Sequence, residues 1–205
     1  MSTERRRRMP RAQRERQMVT VAEEMFAERG YQAASMDEIA ERVGVSKPML
    51  YEYFGSKEGL LVACIRRARA ELLAAITGAV DGVANPEDAL RAGLVAFFEF
   101  TDSHRRAWQL IRREAVAAGQ AAADEIEAIR AQQSAIDAAL LARFRPDAPQ
   151  RDLEAAAEII VGACERLSIW YVERDGLDRV TAKQAAEYVM DLLWYGLRST
   201  LGSPT

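Results

Sequence analysis

Sixteen consecutive residues, VSKPMLYEYFGSKEGL from Val45 to Leu60, concentrate the groups best suited to meeting a polyanion. The chain has three lysines among 205 residues, and two of them, Lys47 and Lys57, fall here beside Tyr51, Tyr53 and Phe54. Each stands at the start of an expected helix, where a cation opposes the helix macrodipole. A locally unfavourable placement makes sense if an external phosphate is the partner. On a helical wheel of about 100° per residue, Leu50 and Phe54 share one side, which suits a core stripe. Pro48, Met49 and Glu52 point the other way, with Lys47 and Tyr51 on one flank and Tyr53 on the other. A helix in a DNA major groove presents its outer ridge to base edges and its flanks to the two phosphate walls. The tyrosines would equally suit half-buried packing positions with their hydroxyls at the surface.

Caps and breakers define the elements that must carry this helix. Helical periodicity runs throughout, without an alternating strand pattern of useful length, so an all-α fold of about nine helices is expected. The first helix spans about Pro10 to Arg29 and stops at Gly30. Ser35 with Glu38 three residues on forms a capping box that opens a helix from Met36 to Val43. Gly44 turns the chain, and Ser46 stands as cap of the third helix through Phe54, with Pro48 tolerated in its first turn. Two short helices joined by a glycine-containing turn, over about residues 36–55, have the outline of a helix-turn-helix. Ser56 then opens a fourth helix towards Ile76.

Five more helices follow: Asn85–Pro86 to about Thr101, about His104 to Ala118, Ala121 to Phe144, Arg151 to Glu173, and one opened by the capping box Thr181 and Gln184 that reaches about Leu201. Large apolar groups crowd the first two of these, with Phe97, Phe98, Trp108 and Ile111 close in sequence. Most belong to an ordinary aromatic core. Gln133 falls within the apolar row Ile126, Ile129, Ile136 and Leu140, where a buried amide needs a partner. His104 shares a face with Trp108 and Ile111, either as a ligand contact or as an exposed first-turn residue. The eighth and ninth helices alternate small and bulky apolar residues on faces too wide for one domain's core, which suits a four-helix interface with a second copy.

The charge is asymmetric. Residues 1–66 carry 12 Lys and Arg against 10 Asp and Glu, and the remainder 16 against 21. Seven arginines lie within the first 16 residues, so a basic arm at about 1–10, with Arg5 to Arg8 at its centre, precedes an acidic body. Such an arm either enters a narrow minor groove or is a solvated tail. Cys64 and Cys164 lie a hundred positions apart in apolar helical patterns, as buried thiols do in a reducing, cytoplasmic setting. No apolar run approaches the roughly 20 residues of a membrane span. One histidine and scattered cysteines offer no metal site. No nucleophile–base pairing, phosphate loop or paired carboxylates indicate an enzyme, and no cofactor is expected.

The segment AEEMFAERGYQAASMDEIAERVGVSKPMLYEYFGSKEGLL, Ala22 to Leu61, resembles the DNA-binding domain of the TetR family of bacterial repressors. The points in register are Phe26, Gly30-Tyr31, Ile39-Ala40, Val43 to Ser46, Leu50-Tyr51, Phe54 and Ser56-Lys57. The resemblance implies a DNA-binding domain over 11–66 and a ligand-binding and dimerisation domain over 67–205. It implies a homodimer, joined by the last two helices, that leaves double-stranded operator DNA when a small molecule enters the second domain. Positions matching Ser35, Lys47, Tyr51, Tyr53 and Lys57 would touch phosphates, with Ser46 in the same interface. Those matching Asp37, Pro48, Met49 and Glu52 would lie nearest the bases. Glu52 stands where an aromatic is frequent in the family. Either acid could accept from a cytosine amine or turn away, and the preference of helix N-termini for acids favours the second for Asp37. In the second domain Phe97, Phe98, His104, Trp108, Ile111, Gln133 and Trp170 are the expected ligand contacts, and the effector is expected to be hydrophobic.

Overall fold

The computed structural model describes residues 9–105, 108, 120–174, 176 and 179–201, and among them every regular element is a helix. Eight long or short α-helices follow in order: α1 (Arg11–Arg29), α2 (Met36–Val43), α3 (Lys47–Phe54), α4 (Lys57–Val80), α5 (Pro86–Ser103), α6 (Gln120–Phe144), α7 (Gln150–Val172) and α8 (Ala182–Leu201). The helix expected over about His104 to Ala118 lies largely outside the described residues, as do Ile111 and Arg5 to Arg8. Most expected boundaries agree within two residues. α4 continues one turn past Ile76 to Val80, because Leu72, Ile76 and Val80 keep an apolar stripe going at steps of four.

The caps explain the starts. Ser35 accepts a hydrogen bond from the Glu38 amide at 3.1 Å, while the Glu38 carboxylate accepts from the Ser35 amide at 3.3 Å, completing the expected box. The Thr181 and Gln184 pair repeats it before α8, at 3.2 and 2.9 Å. Ser46 departs from expectation. It holds the N-cap position of α3 but its side chain makes no capping hydrogen bond. Gly44 takes the left-handed φ of +78° that closes α2 and reverses the chain into α3.

Two cores form. In the first, Met18, Ala22 and Phe26 of α1, Ile39 of α2, Leu50 of α3 and Leu60, Leu61 and Ile65 of α4 are buried together. Phe26 stacks obliquely on Tyr31 at 5.5 Å. The second core joins Leu94, Phe97 and Phe98 of α5, Ala138 and Leu141 of α6, Leu153, Ile160 and Tyr171 of α7 and Val189 and Met190 of α8. Two helices belong to both. Leu72 and Ile76 of α4 pack on the second core, and Ala122, Ile126 and Ile129 of α6 pack on the first.

The α3–α4 junction leaves no room for a side chain at Gly59, where a Cβ would lie 2.0 Å from the Phe54 carbonyl oxygen. Helix propensity alone favours alanine over glycine by about 1 kcal/mol. That backbone contact reverses the sign, so Gly59→Ala is expected to lower the urea unfolding midpoint. A raised midpoint would contradict the packing described.

Candidate DNA-reading face and ligand cavity

α3 buries only Leu50 fully, and its amphipathic division leaves Lys47, Pro48, Tyr51 and Glu52 exposed. These four form the outer surface of the second helix of the helix-turn-helix. Met49 is corrected. Instead of standing at the tip it is half-buried against the first core, as are Tyr53 and Phe54. The Tyr53 ring is covered by the Arg11 guanidinium at 4.8 Å, which fastens the start of α1 to α3.

Lys47 Nζ donates to Asp37 Oδ2 at 2.8 Å across the helix-turn-helix, and this bond raises the lysine pKa. Asp37 is thus exposed and engaged with a cation. The exposed pair is worth little by itself, so an arriving phosphate could replace the carboxylate at small cost. Lys57 Nζ donates to the Gln32 carbonyl at 3.1 Å and lies 4.6 Å from the centre of the Tyr31 ring. Ser46 is exposed at the head of α3, and Ser35 is half-buried with its hydroxyl in the capping box.

A cavity of about 130 Å³ lies in the second domain between α4, α5, α6 and α7, with Trp194 of α8 at its edge. Its walls are mostly apolar. Phe97, Trp108 and Gln133, three of the expected ligand contacts, line it. Phe97 and Trp108 meet edge to face at 5.8 Å, and the indole N–H donates to Ser168 Oγ at 3.0 Å. Phe98, His104 and Trp170 stand elsewhere. Phe98 is fully buried against Tyr171 in the second core. His104 closes α5, stacked on Phe100 with its Nε2 3.5 Å from Glu71. Trp170 packs edge to face on Tyr188 beneath the Arg174 guanidinium.

Sequence reasoning missed Asp137, the partner that Gln133 required. Gln133 Nε2 donates to Asp137 Oδ1 at 2.9 Å, an i, i+4 pair on the cavity side of α6. The signal was in the spacing: Ile129, Gln133, Asp137 and Leu141 form one ridge at steps of four. Arg130, Glu165 and Arg69 also reach the cavity. Arg130 Nε donates to both Glu165 oxygens at 2.8 and 2.9 Å, and its Nη1 to Glu127 at 3.0 Å. Burial pushes the Asp137 carboxyl up to about 6, partly offset by the Gln133 hydrogen bond. Burial, then the nearby Asp137 and Glu165 carboxylates, push the Cys164 thiol up to about 12.

Residues 19–64 match the model of the bacterial regulatory proteins of the tetR family, and residues 86–196 match the tetracyclin repressor-like C-terminal domain. The chain belongs to the TetR family. That is a family of DNA-binding transcriptional regulators, without enzymes. TetR relatives include the transcriptional activator FasR of Mycolicibacterium smegmatis, 41% identical over 104 residues, which are 51% of this chain and 48% of that protein. The transcriptional repressor KstR2 of Mycobacterium tuberculosis is 34% identical over 88 residues, 43% of this chain and 44% of that one. The chain spans about half the length of each of these two relatives. A TetR-like transcriptional regulator from Rhodococcus sp. RHA1 is similar in fold, with a TM-score of 0.70, 34% identity and coverage of 93% of this chain and 98% of that one. Among the described residues no helix is long and apolar enough to cross a membrane.

The half-buried Asp137 carboxyl gives a pH test. An unfolded aspartate loses its proton near 4, whereas folded Asp137 holds it until about 6. Stability from this group is therefore full below about 4 and falls as pH rises to about 6. Asp137→Asn is expected to raise the unfolding free energy by up to roughly 3 kcal/mol at pH 7.5 and hardly at all near pH 4. Equal effects in urea titrations at both pH values would contradict this.

Proposed function

We propose that this chain is a dimeric repressor that holds a two-fold operator and releases it when a small hydrophobic molecule fills the cavity. The observation that carries this reading is that α4 is packed into the reading core through Leu60, Leu61 and Ile65 and lines the cavity through Leu72, Ile76 and Val80. Widening the cavity shifts the helix on which the reading head is mounted. Lys47 and Tyr51 would meet phosphates on one flank, joined by Tyr53, Lys57, Ser35 and Ser46 around the groove. Pro48 and Glu52 would lie nearest the bases.

The second copy would cover α7 and α8. Ile159 is 59% exposed and Leu192 81%, with Tyr188 one turn before it. Ala155, Ile159 and Gly162 share a face of α7, and nothing lies within 4 Å of where a Gly162 Cβ would be, as suits close helix approach. Such an exposed apolar stripe fits an interface with its symmetry mate. Two α3 helices would then read half-sites about one DNA turn (~34 Å) or slightly more apart.

FasR favours a second reading. As this relative is named an activator, filling the same cavity could bring the reading heads into register instead of spreading them. Footprinting on the DNA upstream of the chain's own gene tests the proposal. Two protected half-sites are expected, with Lys47→Ala weakening both uniformly and Glu52→Ala changing which bases are tolerated. Leu192→Glu is expected to reduce the pair to weak single half-site binding. Sequence-independent binding, or unaltered protection by Leu192→Glu, would overturn the reading.

A further inference from the structure

We propose that Asp137, held by Gln133, is the receptor for a hydrogen-bond-donating head group on the effector, a protonated amine suiting it best and a carboxylate worst. The inference rests on reading the cavity as the effector site and concerns which chemistry that site accepts.

Asp137 presents its carboxyl to a cavity whose nearby walls include Phe97, Leu141, Ile160 and Cys164. An ionised carboxylate can accept about four hydrogen bonds. Here Oδ1 takes one, from the neutral Gln133 amide at 2.9 Å, and among the described residues Oδ2 accepts none. Burying a charge this poorly satisfied is unfavourable, as its raised pKa of about 6 reflects. A donor arriving inside the cavity would relieve that deficit beside mostly apolar walls, where charge-assisted bonds are strong.

The other charged groups do not compensate for Asp137. Arg130, almost two turns earlier on α6, is engaged by Glu165 and Glu127. Glu165 on α7 adds a second acid, and the Cys164 thiol beside it is held neutral by burial. Arg69 lines the cavity from α4, beyond the turn where Arg66 pairs with Glu125 at 2.7 Å. Asp137 lies three turns along α6 from Glu125, and among the described residues no cation pairs with its carboxyl. The volume of about 130 Å³ is near that of an engineered apolar cavity of about 150 Å³ that binds benzene. A benzene-sized body with one donating group is therefore the ligand class, and the edge-to-face Phe97 and Trp108 rings suit an aromatic one.

Benzylamine, benzyl alcohol and benzoate share such a body and differ in head group. Their binding to the full chain at pH 7.5, where Asp137 is ionised, can be followed by calorimetry and tryptophan fluorescence. Benzylamine is expected to bind about tenfold or more tightly than benzoate, with the alcohol between them. Asp137→Asn is expected to bring amine and benzoate within about twofold of each other while leaving benzyl alcohol within about threefold of its original affinity. Benzoate binding as tightly as benzylamine, or an amine preference that survives Asp137→Asn, would overturn the head-group assignment alone. Failure of all three to bind the unaltered chain would overturn the cavity reading beneath it.

Discussion

Leu60 to Ile65 and Leu72 to Val80 stand on one uninterrupted helix, so the reading head and the cavity wall cannot move independently. Burying a leucine or isoleucine side chain contributes about 1.5–3 kcal/mol, and Leu60, Leu61 and Ile65 are all buried in the first core. That anchorage keeps the start of α4 fixed to α1 and α3. The opposite half faces a cavity and can give. At about 1.5 Å per residue, Ile76 lies roughly 22 Å from Leu61, so a small tilt at the cavity becomes a displacement of the reading helix. α6 braces the arrangement by packing Ile126 and Ile129 on the first core. Salt bridges add a second tie: Arg66 of α4 meets Glu125 of α6, and Arg67 meets Glu23 of α1 at 3.5 Å. Burial, opposed chiefly by Arg67, pushes the Glu23 carboxyl up to about 7 at this junction.

The reading surface follows a different economy. Only Leu50 anchors α3 fully, and the polar groups around it make surface contacts: Lys47 to Asp37, Lys57 to a carbonyl and a ring, Arg11 over the half-buried Tyr53. Met49 is partly buried against the first core, whereas Pro48 and Glu52 are exposed.

Most of the fold was legible because its punctuation is local. Ser35 with Glu38 and Thr181 with Gln184 cap through neighbours in sequence, and Gly44 needs only its own φ. Ser46 had the right residue type, but its geometry forms no bond, which sequence cannot register. The cavity was less legible. Phe97, Phe98 and Trp108 look equivalent as apolar residues, yet Phe98 faces Tyr171, a partner 73 positions away. His104 and Trp170 likewise spend their rings on Phe100 and Tyr188. Asp137 was overlooked because an acid on a helix is ordinarily solvated. Its one local clue was Gln133 four residues earlier, a polar group already requiring a partner.

In the proposed function the state of the cavity is transmitted through α4 to the DNA-reading face. Gly93 of α5 lines the cavity opposite α4, and a Cβ there would lie 3.4 Å from Val80 and 3.8 Å from Ile76, in ordinary contact. Gly93→Leu would therefore press a side chain against α4 with no ligand present. Operator affinity of this variant, measured beside its thermal unfolding, is the direct test. A fold that persists with affinity lowered about tenfold or more, roughly 1.4 kcal/mol, is the expected result. Unchanged operator affinity in an intact fold would contradict the account.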